Sequence, residues 1–206
     1  MRRICEKLWF WCVINVAVFA LLSFICPLHY EENDDIAMCM IANGVLSGSP
    51  DCHLVFINAV WGYLLQTLYS FTISVEWYTL LLALLHIFSF SFLTCLVVRE
   101  HKPRYVTLIF LLLLYAFWAR IIVCFQFTTT AGLLCAAGCY GLIQKDKSSL
   151  IIGAILVILA SMIRFHAAAL VGIVLAPFMI YSAFKNKKLW IIFFSLLCGV
   201  FLLHYA

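Results

Sequence analysis

The chain has 206 residues, of which 67% are hydrophobic and only 11% are charged, and its mean hydropathy is +1.12. A soluble domain carries roughly 45–50% apolar and about 25% charged residues, so this composition excludes a soluble globular protein, a disordered chain and a nucleic-acid-binding protein. It predicts an all-α, polytopic membrane protein. The net charge of +4 is then informative through the placement of Lys and Arg, which sets membrane orientation.

Six apolar stretches are candidates for membrane helices, since crossing a hydrocarbon core of about 30 Å takes about 20 residues. The stretches are residues 8–28, 54–75, 77–98, 105–144, 150–184 and 189–206. The fourth and fifth are too long for one crossing, because as single helices they would measure about 60 Å and about 52 Å. We expect the fourth to turn near Thr128–Thr130 and the fifth near Arg164–His166.

Basic residues predict the orientation of these segments. Of the 13 Lys and Arg residues, all except Arg120 and Arg164 fall in four clusters. The clusters are Arg2, Arg3 and Lys7, then Arg99, Lys102 and Arg104, then Lys145 and Lys147, and finally Lys185, Lys187 and Lys188. The positive-inside rule places all four clusters on the cytoplasmic side, which requires residues 54–72 to lie on the outer surface instead of crossing.

A polar stripe within residues 54–72 supports this surface helix. Its members recur every four residues and therefore share one helical face: Asn58, Gly62, Gln66 and Ser70. An ordinary membrane helix with a polar packing face is the alternative. We take the surface helix, because it keeps every basic cluster inside.

The resulting topology is a single membrane domain, residues 1–206, with about seven crossings. The predicted crossings are 8–28, 77–98, 105–126, 128–144, 150–164, 167–184 and 189–206. The N-terminus is cytoplasmic, the host membrane is the plasma (cytoplasmic) membrane, and residues 29–76 form one long extracytoplasmic loop with juxtamembrane helices.

Acidic residues concentrate in this outer loop. Five of the nine Asp and Glu residues lie within residues 31–51 of this loop, namely Glu31, Glu32, Asp34, Asp35 and Asp51. The apolar pattern at Met38, Ile41 and Val45 predicts a short helix, for which Asn33 or Asp34 is the expected N-cap. An acidic loop is most often only a solvated surface, but adjacent carboxylates at a membrane boundary can also act as a general base or hold a divalent cation.

Cysteine usage does not indicate a disulfide scaffold. Most of the ten cysteines lie in apolar runs, where Cys behaves as a small hydrophobic residue. Cys39 and Cys52 share the outer loop and could pair, although their spacing alone does not establish a bridge.

The two arginines outside the clusters, Arg120 and Arg164, fall near the outer ends of their crossings. Ionisable residues at such depth are costly and usually functional, whereas snorkelling to the interface is the alternative explanation. His166 lies beside Arg164 at the predicted turn. Guanidinium groups facing an acidic loop at the outer surface suit a phosphate carried on a lipid.

Several short motifs resemble the GT-C superfamily of integral-membrane glycosyltransferases. They are Asn33-Asp34-Asp35 after the first helix, the Gly44–Asn58 segment with its Ser-Pro-Asp, the Gly62–Tyr69 segment, Glu76-Trp77-Tyr78, and Ile163–Ala167. The resemblance covers about residues 8–170. The Asn-Asp-Asp and Ser-Pro-Asp motifs are moderately specific together and weak alone.

The resemblance implies a fold, an activity and roles for residues. GT-C enzymes begin with a membrane module of about seven helices and transfer sugars from polyprenyl phosphate on the extracytoplasmic side, usually with inversion. It implies that Asp34 or Asp35 is the catalytic base, with Asp35 a candidate ligand for a divalent metal, Mg²⁺ or Mn²⁺. Candidates for substrate binding are Arg164, His166, Arg120, Asp51, His53 and Asn58. Because GT-C enzymes usually continue past this module, the resemblance also implies that the chain is truncated relative to full-length members.

Two functions remain in contention at this stage. The first is an inverting glycosyltransferase that uses a lipid-linked sugar donor and a polysaccharide or glycolipid acceptor. The second is a non-catalytic transporter-like or flippase-like component that binds an anionic lipid through Arg120 and Arg164. Transporters often contain paired, broken segments in corresponding halves, and the sequence shows no such pairing.

Overall fold

The computed structural model describes residues 6–100 and 102–205, and this part of the chain is all-helical apart from two paired two-residue strands. The helices are α1 Leu8–Ile25, α2 Asn33–Ala42, α3 Ala59–Phe71, α4 Trp77–Arg99, α5 Arg104–Val123, α6 Phe127–Leu142, α7 Lys147–Lys185 and α8 Lys188–Tyr205. Strands β1 His29–Tyr30 and β2 Cys124–Phe125 pair in parallel. The predicted all-α class is confirmed, while Arg2 and Arg3 of the first basic cluster lie outside the described residues.

Four helices of the described chain are long and apolar enough to cross a membrane: α1, α4, α5 and α7. Helices α6 and α8 are apolar but shorter. Helix α4 is central and largely buried, whereas α1 and α5 expose most of their apolar side chains. Outward-facing apolar surface on long helices supports membrane association, since water would not accommodate it.

Helix α7 is broken at Arg164, whose backbone is not helical (φ −154°, ψ 95°). Val157 and Met179 line the same cavity, together with Cys139 of α6. A straight helix would hold those two residues about 33 Å apart, so the chain must reverse between them. The predicted turn near Arg164–His166 is confirmed, and we call the two halves α7a (147–163) and α7b (165–185).

Close packing of α6 against α7a depends on glycine. A Cβ on Gly138 would lie 2.8 Å from the carbonyl oxygen of Gly153, which is too close for any other residue without a shift. Small residues allow this approach of two helix backbones within a membrane. On the return path, the Cys135 thiol of α6 donates to the carbonyl oxygen of Ala168 in α7b at 3.2 Å.

A buried polar network joins the first helix to the bundle. Asn15, the only buried residue of α1, donates from Nδ2 to Ser91 Oγ of α4 at 2.9 Å. Its Oδ1 accepts from the Tyr115 hydroxyl of α5 at 2.6 Å. Since α1 presents an almost entirely apolar surface, these bonds supply the specific contacts that orient it.

Helix α3 lies across one end of the bundle. Its 13 residues extend only about 20 Å, which is shorter than a hydrocarbon core of about 30 Å. The backbone N–H of Asn58, at its N-terminus, donates to the Met162 carbonyl beside the α7 break, and the backbone N–H of Tyr78, at the start of α4, donates to the Tyr69 hydroxyl near its C-terminus. Both termini of α3 are therefore at the same end of the bundle.

The polar stripe of α3 faces the preceding loop. Gly62 approaches the Cys52 carbonyl so closely that a Cβ would lie 1.9 Å from the oxygen, and Gln66 Nε2 donates to the Pro50 carbonyl at 2.9 Å. The stripe is thus a packing face, but it packs on the loop that precedes α3 and not on another long helix.

Three local predictions are wrong. The break between α5 and α6 lies at Cys124–Gln126, because pairing of β2 with β1 ends α5 there, and Thr128–Thr130 instead lie in the first turn of α6. Helix α2 has Glu32 as its N-cap, without a side-chain capping bond, so Asn33 and Asp34 are already helical. Val45 is exposed beyond the end of α2, because Gly44 turns the chain with φ +85°.

Candidate functional site

The two ends of the bundle differ in charge. At the basic end, Arg99 Nε donates to the Glu6 carbonyl at 2.8 Å. Burial acts to raise the pKa of Asp146 at the start of α7, but its hydrogen bonds with Ser149 and the Arg99 charge lower it below its usual value. Lys102 shares a cavity there with Ile143 and Met179. The opposite end, which we call the acidic end, carries α2, α3 and the break at Arg164. The described members of the basic clusters therefore gather opposite the acidic loop.

Asp35 is the most constrained acid at the acidic end. It is fully buried, and its Oδ1 accepts from the Tyr78 hydroxyl at 2.9 Å and from the Phe127 backbone N–H at 3.0 Å. Its Oδ2 is buried without a hydrogen-bond partner among the described residues. Burial raises the pKa of Asp35 from 3.8 to about 6, against the lowering effect of its two hydrogen bonds. Asp34, one residue earlier, is exposed.

Arg164 lies beside a pair of aromatic rings at the α7 break. Its guanidinium carbon lies 4.4 Å from the centroid of the Phe56 ring and 5.1 Å from that of Phe127. Those two rings are themselves stacked within 9° of parallel. Because the ring centroids lie only 6.0 Å apart, the guanidinium carbon lies to one side of the ring pair and not between the rings. These two contacts hold Arg164 at the break, and a guanidinium is well suited to binding an oxyanion.

Phe127 connects these two groups. Its backbone N–H binds the Asp35 carboxylate, and its ring contacts Arg164. The first residue of α6 therefore holds an acid at its backbone and a guanidinium at its ring. The sequence predicts both charged residues, but it contains no signal that Phe127 links them.

Arg120 has a different environment from Arg164. It lies in the last turn of α5, with its side chain 64% exposed, and its Nη2 is 3.6 Å from Glu31 Oε1. Its Nη1 also contacts the Cys124 sulfur. An exposed ion pair of this kind is weak and contributes at most about 1 kcal/mol to stability. Because the pair is weak and the side chain is exposed, Arg120 remains accessible to an anion at the surface.

The remaining predicted binding residues are dispersed. Asp51 Oδ1 accepts from the backbone N–H of His53 and contacts its Nδ1 at 2.8 Å. His166 is exposed, with its ring beside Phe165. Asn58 caps α3 by accepting from the Val60 N–H, and its Nδ2 donates to the Leu203 carbonyl. Its polar groups therefore serve folding contacts, and binding by Asp51, His53 and His166 stays a prediction.

The residues present offer a poor fit to a resident Mg²⁺ or Mn²⁺. Among the described residues, the one group of three ligand-type side chains with their ligand atoms within 4.8 Å is Asp51, Cys52 and His53. A thiol and an imidazole are not the oxygen ligands that Mg²⁺ requires. Asp35 offers a single free oxygen, so its predicted metal role has no supporting ligand set there.

Glu76 is a candidate that the sequence analysis assigned no role. Its Oε2 accepts from the Cys39 thiol at 3.1 Å and from the Tyr69 hydroxyl at 3.3 Å. Burial, and then the contact with Glu76, raise the pKa of Cys39 to about 11, so this thiol stays protonated as a donor at neutral pH. Cys39 and Cys52 are both free thiols, so the disulfide considered above is not formed. Its place in the Glu76-Trp77-Tyr78 motif, at the end of the long loop, is the signal in the sequence that points to it.

Comparison of the chain with protein-family models, with curated proteins and with solved structures finds no match. The functional assignment therefore depends on the geometry of this chain and on the resemblance of its short motifs.

Proposed function

We propose that the chain is the membrane module of a glycosyltransferase that takes a sugar from polyprenyl phosphate at the acidic end of the bundle. The observation that carries this proposal is the arrangement around Phe127. A buried carboxylate with one unpartnered oxygen and a guanidinium contact the same residue. A transferase acting on a lipid-phosphate sugar needs one base and one phosphate-binding cation, and this pair offers both.

Asp35 is the proposed general base. With its pKa raised to about 6, it is mainly ionised at neutral pH yet more basic than an ordinary aspartate. Its Oδ2 would take the proton of the acceptor hydroxyl as that oxygen forms a bond to the anomeric carbon. Because Oδ2 is shielded in the free chain, the acceptor must open the site locally as it binds.

Arg164 is the proposed ligand of the leaving group. As the bond between the anomeric carbon and the phosphate oxygen breaks, the electron pair goes to polyprenyl phosphate, and the guanidinium N–H groups stabilise the developing charge. Contacts with Phe56 and Phe127 restrict the position of the guanidinium, which reduces the entropic cost of ordering it at the site. The step is balanced without a metal, so we assign no part of it to one.

The proposed membrane topology has seven crossings, because α7a and α7b cross separately. The positive-inside rule sets the orientation of the bundle and of its two termini. The basic end then faces the cytoplasm and the acidic end faces outward, in the plasma membrane. Single-cysteine variants at His53 and Lys145, in a cysteine-free background, test this orientation. A membrane-impermeant maleimide should label position 53 in intact cells and position 145 only after lysis.

The decisive assay is transfer of radiolabelled sugar from polyprenyl phosphate by the purified chain in lipid nanodiscs. Asp35→Asn should lower turnover at least about 100-fold, since general-base catalysis typically contributes 10²–10⁴-fold. Arg164→Lys should also lower it, because an ammonium lacks the planar set of N–H donors with which a guanidinium binds a phosphate. Glu100→Gln at the basic end is the matched control and should retain turnover. Undiminished turnover in Asp35→Asn would contradict the assignment of the base.

The non-catalytic alternative makes a different prediction in the same nanodiscs. A lipid-binding component would retain polyprenyl phosphate through Arg120 and Arg164 and transfer no sugar. Bound polyprenyl phosphate that depends on Arg164, with no turnover in any preparation of the wild-type chain, would favour this function over the enzyme.

A further inference from the structure

A second cavity lies at the acidic end, apart from Asp35 and Arg164. It has a volume of about 410 Å³ and is enclosed by the exit of α1, by α2, by the start of α4 and by β2. Its polar groups come from His29, Tyr30, Asn43, Glu76 and Thr79, and apolar contacts come from Leu28, Ile36, Met40 and Phe125. A concave site with a few convergent polar groups on an apolar background is typical of a small-molecule site.

Glu76 is positioned in this cavity by neighbouring donors. Both hydrogen bonds that the described residues make to its carboxylate, from Cys39 and Tyr69, reach Oε2. Burial raises the pKa of Tyr69 above its usual value, as it does for Cys39, so both groups remain donors at neutral pH. Oε1 is thereby left as an acceptor for a ligand, on a side chain that is already oriented.

The lining discriminates between classes of ligand. No Lys or Arg is among the residues that line the cavity in the described chain, so the Glu76 charge disfavours a phosphate. A divalent cation would find one carboxylate where it prefers six or more oxygen ligands. A neutral polyol fits, because the carboxylate accepts from its hydroxyls, the Asn43 amide and Thr79 hydroxyl add further partners, and the Tyr30 and Phe125 rings cover its apolar face.

We infer that this cavity, hereafter the Glu76 cavity, binds a sugar unit of the acceptor, with Glu76 as the carboxylate that accepts its hydroxyl groups. The identification of this sugar as part of the acceptor rests on the proposed function, although sugar binding itself does not require catalysis. The Tyr30 ring packs against Tyr78 with centroids 6.2 Å apart, and the Tyr78 hydroxyl donates to Asp35. Two aromatic rings therefore separate the bound unit from the base, so the Glu76 cavity holds a sugar adjacent to the reacting one.

The test is saturation-transfer NMR on the full chain in nanodiscs, with glucose, galactose and N-acetylglucosamine as separate probes at millimolar concentration. At least one probe should receive saturation from the wild-type chain. Glu76→Gln keeps the size of the side chain but removes its charge and should lower that signal at least about fivefold. Ile36→Trp, which fills the cavity without touching Glu76, should lower it similarly, and Glu100→Gln should not.

The outcomes separate this inference from the proposed function. Asp35→Asn and Arg164→Lys should retain the sugar signal even though they lose transfer, because neither residue lines the Glu76 cavity. Retained sugar binding with no transfer in the wild type would leave the inference standing and contradict the enzyme. Absence of saturation transfer to all three sugars, or an equal signal in Glu76→Gln and Ile36→Trp, would overturn the inference. Thermal unfolding of each variant shows whether it is folded.

Discussion

Replacing Asp35 by Asn tests whether burial makes this carboxylate costly to ionise. The pKa of Asp35 is about 6 in the folded chain against 3.8 for an ordinary aspartate. A difference of about two corresponds to about 3 kcal/mol of folding free energy. Below pH 3.8 the group is protonated in both states and folding carries no ionisation penalty. As the pH rises toward 6, the unfolded chain releases its proton first, so stability falls, and the loss is complete above pH 6.

The measurement is thermal unfolding of the chain in nanodiscs between pH 3 and pH 8, followed by tryptophan fluorescence. The wild type should lose about 3 kcal/mol relative to Asp35→Asn across this range, because the Asn side chain does not ionise. The absolute stability of the variant is less informative, since its buried amide N–H₂ replaces the free Oδ2 and costs about 1–3 kcal/mol if unpaired. The pH dependence of the difference is therefore the quantity to compare.

Asp34→Asn provides the control, because it removes one negative charge from the neighbouring, exposed position. The contrast between the two variants isolates the effect of burial from that of net charge. If the stability difference between the wild type and Asp35→Asn were independent of pH, the carboxylate would not be costly to ionise. The raised basicity invoked for catalysis would then have no physical basis.

Three further variants or treatments test the packing of the acidic end and of the bundle. Gly62→Ala should destabilise the chain by about 2 kcal/mol or more in thermal unfolding, because its Cβ would lie 1.9 Å from the Cys52 oxygen. Gly172→Ala, whose Cβ would meet nothing within 4 Å, should be neutral or slightly stabilising. Asn15→Ala should lower the stability by about 1–2 kcal/mol in the same assay. If Asn15→Ala lost no more stability than Gly172→Ala, Asn15 would have no role in orienting α1. Alkylation after denaturation without reductant should modify both Cys39 and Cys52, and a protected pair in the mass spectrum would reveal a disulfide that the structure lacks.

The sequence predicts much of the architecture because charge and hydropathy are one-dimensional signals. The reversal at Arg164 follows from the length of its apolar stretch, which no single crossing could accommodate. The prediction that α3 lies on the membrane surface follows from the basic clusters and from the Asn58–Ser70 stripe. Both conclusions need only the chain and the dimensions of a bilayer.

Other features depend on contacts that sequence patterns do not record. The break between α5 and α6 is set by pairing of Cys124 with His29, which is 95 residues away. Asp34 and Asp35 are equivalent in sequence, yet Phe127 and Tyr78 bind only the second. Glu76 was overlooked because its partners, Cys39 and Tyr69, come from two other helices.

Asn58 links three segments of the chain at the acidic end. Its backbone N–H donates to the Met162 carbonyl at 2.8 Å, two residues before Arg164, while its side chain caps α3 and holds the Leu203 carbonyl of α8. Asn58 thus connects α3 to the break in α7 and to the end of α8. A ligand that displaces α3 would therefore also shift the backbone beside Arg164 and the end of α8, so these three segments would move together.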